Sequence, residues 1–204
     1  MKRKGAPRKS LSIEERRART ERVRARQERM VAKMPAPGEG LPTRSIVLHI
    51  GAHKTASSFV QTVLKGHSVE LAKRGVSVVH RSHLQASSLQ DALIAIGKGA
   101  SLKPSQVISA TQDFHAMLSR RKSHVLFSSE DLLHRIRDLG FFANAGKALE
   151  FIKSLAGPIQ VSVVLYTRSQ ADYIESVFMQ FMHLGRDFTF DEFVEKLDGN
   201  DFSW

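Results

Sequence analysis

A short apolar run breaks at a glycine and passes through a lysine and a threonine into a helix-forming stretch: Ser45-Ile-Val-Leu-His-Ile-Gly51-Ala52-His53-Lys54-Thr55-Ala56-Ser57-Ser58-Phe59. Strand, glycine turn and helix start in that order have the grammar of a phosphate loop. In such a loop the backbone N–H groups of the turn and the positive end of the helix dipole face an anion. Lys54 adds a point charge, and Thr55, Ser57 and Ser58 add hydroxyl donors. The plain alternative is a generic strand, turn and helix with Ser57 or Ser58 as N-cap. The Walker pattern G-x-x-x-x-G-K-[ST] is not met, because His53 and Leu48 stand where its two glycines belong. A standard ATPase or GTPase loop is therefore not expected.

The rest of the chain repeats the alternation. VSVVH (76–80), HVLFSS (124–129) and QVSVVLYTR (160–168) are short apolar runs of the kind buried in parallel sheets. Between them fall helical stretches at 57–74, 142–155 and 170–184, with polar and helical material from Leu84 to Arg121. This order predicts an α/β fold: a three-layer parallel sheet with helices on both faces and ligand sites at the carboxyl ends of the strands. There is no internal repeat.

The formal charge of +11 is concentrated in one place. Residues 1–44 hold 14 Lys and Arg against 5 Glu, a net +9, which leaves 17 against 15 acidic residues in 45–204. Residues 1–44 therefore read as a basic arm, helical or disordered, ending in a linker at Pro35–Pro42, and residues 45–204 as the folded domain. The absence of cysteine excludes disulfides, thiolate metal sites and cysteine nucleophiles. No run is long enough to span a membrane, and the N-terminus lacks a signal-peptide core, so the expectation is a cytoplasmic protein.

The loop resembles the 5′-phosphosulfate loop of bacterial sulfotransferases, written H-I-G-x-H-K-T-G-T-T-x-x-Q. The matching residues are His49, Ile50, Gly51, His53, Lys54, Thr55, Ser57, Ser58 and Gln61, with Ala56 in place of the usual glycine. A second block agrees: VSVVLYTRSQADYIESVFMQ puts Arg168 at a strand end and Ser176 eight positions on. In that family an arginine and a serine so spaced hold the 3′-phosphate of 3′-phosphoadenosine 5′-phosphosulfate (PAPS). The resemblance implies a P-loop NTPase-like sulfotransferase core that binds PAPS through Gly51, His53, Lys54, Thr55, Ala56, Ser57, Ser58, Arg168 and Ser176. It implies transfer of a sulfuryl group to a hydroxyl acceptor, a carbohydrate or small molecule, without a metal. The family usually continues past the second block with helices and a covering loop, so 45–204 is expected to be a C-terminally incomplete domain.

Sulfuryl transfer needs a group to neutralise the leaving phosphate and a base for the acceptor. Lys54 suits the first task, and Glu130, just past the strand 124–129, suits the second, with His134 in reserve. Glu130 and Asp131 equally suit the start of a helix. His49 and His53 span a strand-to-loop junction and predict no metal site. Two other functions stay open: a catalytically weak binder of PAPS or adenosine 3′,5′-bisphosphate, and a nucleic-acid or anionic-surface binder acting through residues 1–44.

Overall fold

The computed structural model describes residues 43–119, 121, 124–133 and 142–197, together with Arg22 and Ala25. The chain divides into one unit at Met1–Met34 and another at Pro35–Trp204. In the first, Arg22 and Ala25 are helical and exposed. The remaining arm expectations, including the Pro35–Pro42 linker, lie outside the described residues.

In the second unit the apolar runs form four strands: β1 (Ser45–His49), β2 (Val76–His80), β3 (His124–Ser128) and β4 (Gln160–Val164). The sheet is all parallel, in the order β2-β3-β1-β4. Its register is flush: His49 lies opposite Ser128 and Val164, and His80 lies opposite Ser128. Every strand therefore ends at one edge, and the segments that follow them emerge side by side.

Helices flank the sheet: α1 (Ser57–Gly66), α2 (Ser68–Lys73), α3 (Arg81–Gln85), α4 (Ser88–Gly97), α5 (Pro104–Ser119), α6 (Ala145–Ala156), α7 (Gln170–His183) and α8 (Phe190–Glu195). Alternation decides which strand residues are buried. Ile46, Leu48, Val125 and Phe127 point to one face and form the main core with Leu93, Phe114 and Ile152 of α4, α5 and α6. The expected helix at 57–74 is two helices that meet at His67, which caps the end of α1 and the start of α2. α6 ends where its glycine stands, Gly157 having φ 59°.

The expected strand 160–168 is shorter than its sequence suggests, because β4 is an edge strand whose ladder ends at Val164. The chain still tracks β1 beyond that point. The N–H groups of Ile50 and Ala52 donate to the carbonyls of Val164 and Tyr166, each at 3.1 Å. This carries Arg168 alongside the loop that follows β1.

A second apolar cluster fixes α7. Tyr173, Val177 and Phe181 of α7 pack with Phe193, Leu197 and Ala52 of the loop. Tyr173 and Phe193 are fully buried, and a buried ring of this size contributes about 1.5–3 kcal/mol. Ser169 caps the helix by accepting from the Asp172 N–H. Loop and α7 are thus held in one packing unit.

Candidate functional site

The loop after β1 carries three left-handed residues, Gly51 (φ 48°), Lys54 (φ 65°) and Ala56 (φ 62°). Glycine is favoured at position 51, where φ is positive and a Cβ would lie 3.2 Å from the Ser57 Cβ and 3.6 Å from the Glu130 Cβ. Lys54 and Ala56 have no such freedom, and a non-glycine residue held in this region costs about 1 kcal/mol or more. Alternating hand in consecutive residues turns backbone N–H groups into one concavity, the nest that binds anions. Ala56 is also the N-cap of α1 and offers no side-chain cap, so the first turn keeps N–H groups for an anion.

The loop's side chains divide their work. Thr55 Oγ1 donates to the Ala52 carbonyl at 2.7 Å and accepts from the Ala52 N–H at 3.2 Å, so this hydroxyl closes the loop on itself. His53, Lys54, Ala56, Ser57 and Ser58 line a pocket of about 500 Å³. Lys54 Nζ crosses it to donate to Gln180 Oε1 of α7 at 3.1 Å.

Arg168 braces the loop from the β4 side. Its Nη1 donates to the Lys54 carbonyl at 3.1 Å, and its Nη2 lies 4.0 Å from Asp172. Ser176 is half-buried on α7, one turn before Gln180 and on the same side of the helix. Arg168 and Ser176 are not among the residues that line the pocket. They border it through Lys54 and through the Gln180 turn.

The opposite wall is ionic. Glu130 and Asp131 follow β3 and are 5% and 7% exposed. The Arg81 fork spans both: Nη1 meets Glu130 Oε1 at 2.8 Å and Nη2 meets Asp131 Oδ2 at 2.7 Å. Gln61 of α1 donates to Glu130 Oε2. Gln85 donates to Asp131 Oδ2 at 3.3 Å, and His53 Nε2 stands 3.4 Å from Asp131 Oδ1. A carboxylate has about four lone-pair sites, so Glu130 keeps acceptor capacity toward the pocket that it lines.

Behind this wall His49 and Ser128 share a buried hydrogen bond, Nδ1 to Oγ at 2.8 Å. Burial holds the His49 imidazole below its usual range, with nearby Glu130 opposing.

The structure brings together residues far apart in sequence: the loop, Glu130, and Arg168 bound to the loop's backbone. It also adds Arg81, Gln85 and Gln180, which the sequence reading does not single out as site residues. Arg81 carried a usable signal, since it directly follows a strand at the same sheet edge that marked Glu130 and Arg168. His134 lies outside the described residues. Among the described residues no group of three or more His, Asp or Glu is placed to hold a metal ion, and no helix is long and apolar enough to cross a membrane. Comparison of the chain with protein-family models, curated proteins and solved structures gave no match.

Proposed function

We propose that this chain is a PAPS-dependent sulfotransferase that moves a sulfuryl group to a hydroxyl acceptor, with a P-loop-like core as its donor site. The observation that carries the reading is the pairing of a left-handed anion loop with a buried carboxylate across one pocket: Lys54 on one side, Glu130 on the other. The residues fit the donor. A Cβ at position 51 would press on Ser57 at 3.2 Å, and the loop, the α1 N-terminus, Lys54, Ser57 and Ser58 would provide donors for the phosphosulfate. Arg168 and Ser176, on the β4 side, would take the 3′-phosphate.

The donor supplies a sulfur whose bond to the 5′-phosphate oxygen can be broken. Glu130 takes the proton of the acceptor hydroxyl as its oxygen bonds to sulfur. Lys54 neutralises the negative charge that gathers on the departing phosphate oxygen, so adenosine 3′,5′-bisphosphate leaves with the bonding pair. The products are a sulfate ester, the bisphosphate and protonated Glu130, and the atoms balance without a metal or an oxidant.

A second reading, binding of the nucleotide without turnover, is favoured by Ala56, whose methyl occupies a left-handed position at the start of α1. The two readings separate in one experiment on the full chain. Calorimetry with adenosine 3′,5′-bisphosphate against adenosine 5′-monophosphate tests the donor site, and transfer of labelled sulfate from PAPS tests turnover. Micromolar binding that requires the 3′-phosphate, together with labelled product, supports the transferase. Binding alone supports the second reading, and the absence of binding by folded protein rejects both.

A further inference from the structure

We propose that α3 forms the acceptor wall of this site and that Arg81 and Gln85 select an uncharged, polyhydroxylated acceptor, a sugar, over a phenol or an anionic acceptor. The inference rests on reading the pocket as a sulfuryl-transfer site.

Sheet order separates the two sides of the pocket. Arg168 follows β4 on one flank of β1, while Glu130 follows β3 on the other, and Arg81 follows β2 beyond it. With the nucleotide's 3′-phosphate held on the β4 flank, the acceptor enters from the β2–β3 flank. The register accounts for the wall: His80 pairs with Ser128, so the residues just after each strand, Arg81 and Glu130, are brought face to face. Gln85 lies one turn after Arg81 on α3 and reaches the same carboxylate.

The chemistry of the wall suits hydroxyl groups. The Arg81 side chain is 40% exposed; each Nη spends one N–H on Glu130 or Asp131 and keeps a second, while Nε is buried. Gln85 spends its amide N–H₂ on Asp131, which leaves its carbonyl oxygen as an acceptor. Donors and acceptors therefore alternate along one surface, the pattern that sugar hydroxyls satisfy because each both donates and accepts. Among the described residues, Ala56 and Leu184 are the only aliphatic side chains that line the pocket, and no Phe, Tyr or Trp does. A phenol ring laid on this wall would cover its guanidinium, amide and carboxylate groups without giving them hydrogen-bond partners. An anionic acceptor would sit beside the charge of two nearly buried carboxylates, Glu130 and Asp131.

The test uses the purified full chain with labelled PAPS and three acceptor sets: neutral methyl glycosides and oligosaccharides, uronate-containing oligosaccharides, and 4-nitrophenol. Adenosine 3′,5′-bisphosphate affinity is measured alongside, for the wild type and for Gln85→Leu and Arg81→Lys. Neutral saccharides are expected to be the best acceptors. Gln85→Leu should raise their KM about tenfold, the worth of one hydrogen bond to substrate, while bisphosphate affinity stays within about twofold, inside the experimental scatter of a site the variant does not touch. Arg81→Lys keeps the charge but not the fork, and should raise the saccharide KM in the same sense. Faster transfer to 4-nitrophenol or to uronates, no transfer to any saccharide by protein that binds the bisphosphate, or an unchanged KM in Gln85→Leu would each overturn the assignment. These outcomes leave the donor site standing. Loss of bisphosphate binding in the wild type would instead remove the reading beneath it.

Discussion

Arg168 donates from Nη1 to the backbone carbonyl of Lys54 across 3.1 Å, joining residues 114 positions apart. The guanidinium that would hold the 3′-phosphate thereby also holds the loop that would hold the phosphosulfate. Arg168→Ala removes both a cation and this brace. Loss of a charge-assisted hydrogen bond is worth about 1.5–3 kcal/mol, so bisphosphate affinity should fall about tenfold to a hundredfold by calorimetry. Adenosine 5′-monophosphate, which lacks the 3′-phosphate, should lose less. Equal loss for both nucleotides would place Arg168 in loop support alone.

Lys54 separates binding from chemistry. Its ammonium reaches across the pocket to Gln180, and on the proposed mechanism it meets its largest demand as charge gathers on the departing phosphate. Lys54→Met should lower kcat about 10²–10³-fold, the range for losing one positioned donor to developing charge. Gln180→Leu frees the ammonium without removing it and should cost much less. Steady-state rates of the two variants with one acceptor decide the matter, and near-equal losses would show that the tether, not the charge, matters.

The loop and the strand ends were legible because their signals are local. A glycine before Lys-Thr, an apolar run before it and hydroxyls after it describe a turn within about a dozen residues. Arg81 and Gln85 were not legible, because their meaning depends on β2 lying beside β3, a pairing between segments nearly 50 residues apart. Thr55 shows the opposite limit: its residue type suggested an anion donor, but its hydroxyl is turned back on the Ala52 carbonyl. The edge position of β4 also shortened a strand whose composition promised more, since a ladder partner on one side only leaves Val163 and Val164 partly exposed.

Ala56 supplies a test of stored strain. At φ 62° it occupies a conformation that glycine adopts freely, and it caps α1 where glycine is preferred to alanine. Glycine loosens the unfolded chain, which offsets part of the gain. Ala56→Gly should still raise stability by a net of about 1 kcal/mol, read as a higher urea midpoint with an unchanged m-value. A lower midpoint would mean that the Ala56 methyl makes packing contacts worth more than the strain.

Stability should fall as the solution is acidified below the ordinary histidine range, and His49 is the residue that most directly connects this to the site. Burial lowers the pKa of His49, and also those of His80 and His115, below 6.5. Each then binds fewer protons folded than unfolded at pH values between its folded pKa and 6.5. Above 6.5 both states are neutral and the histidines contribute no pH dependence. As pH falls through 6.5 the unfolded chain takes up protons first, so stability declines, with a limiting slope of about 1.4 kcal/mol per pH unit for each histidine. His49 is the most buried of these positions next to the loop, with its Nδ1 bonded to Ser128 and no partner at Nε2 among the described residues. Urea denaturation at pH 7.5 and 5.5 should show a smaller drop for His49→Gln, which keeps an amide for Ser128 but does not titrate. An equal drop in wild type and variant would assign the acid sensitivity to His80 and His115.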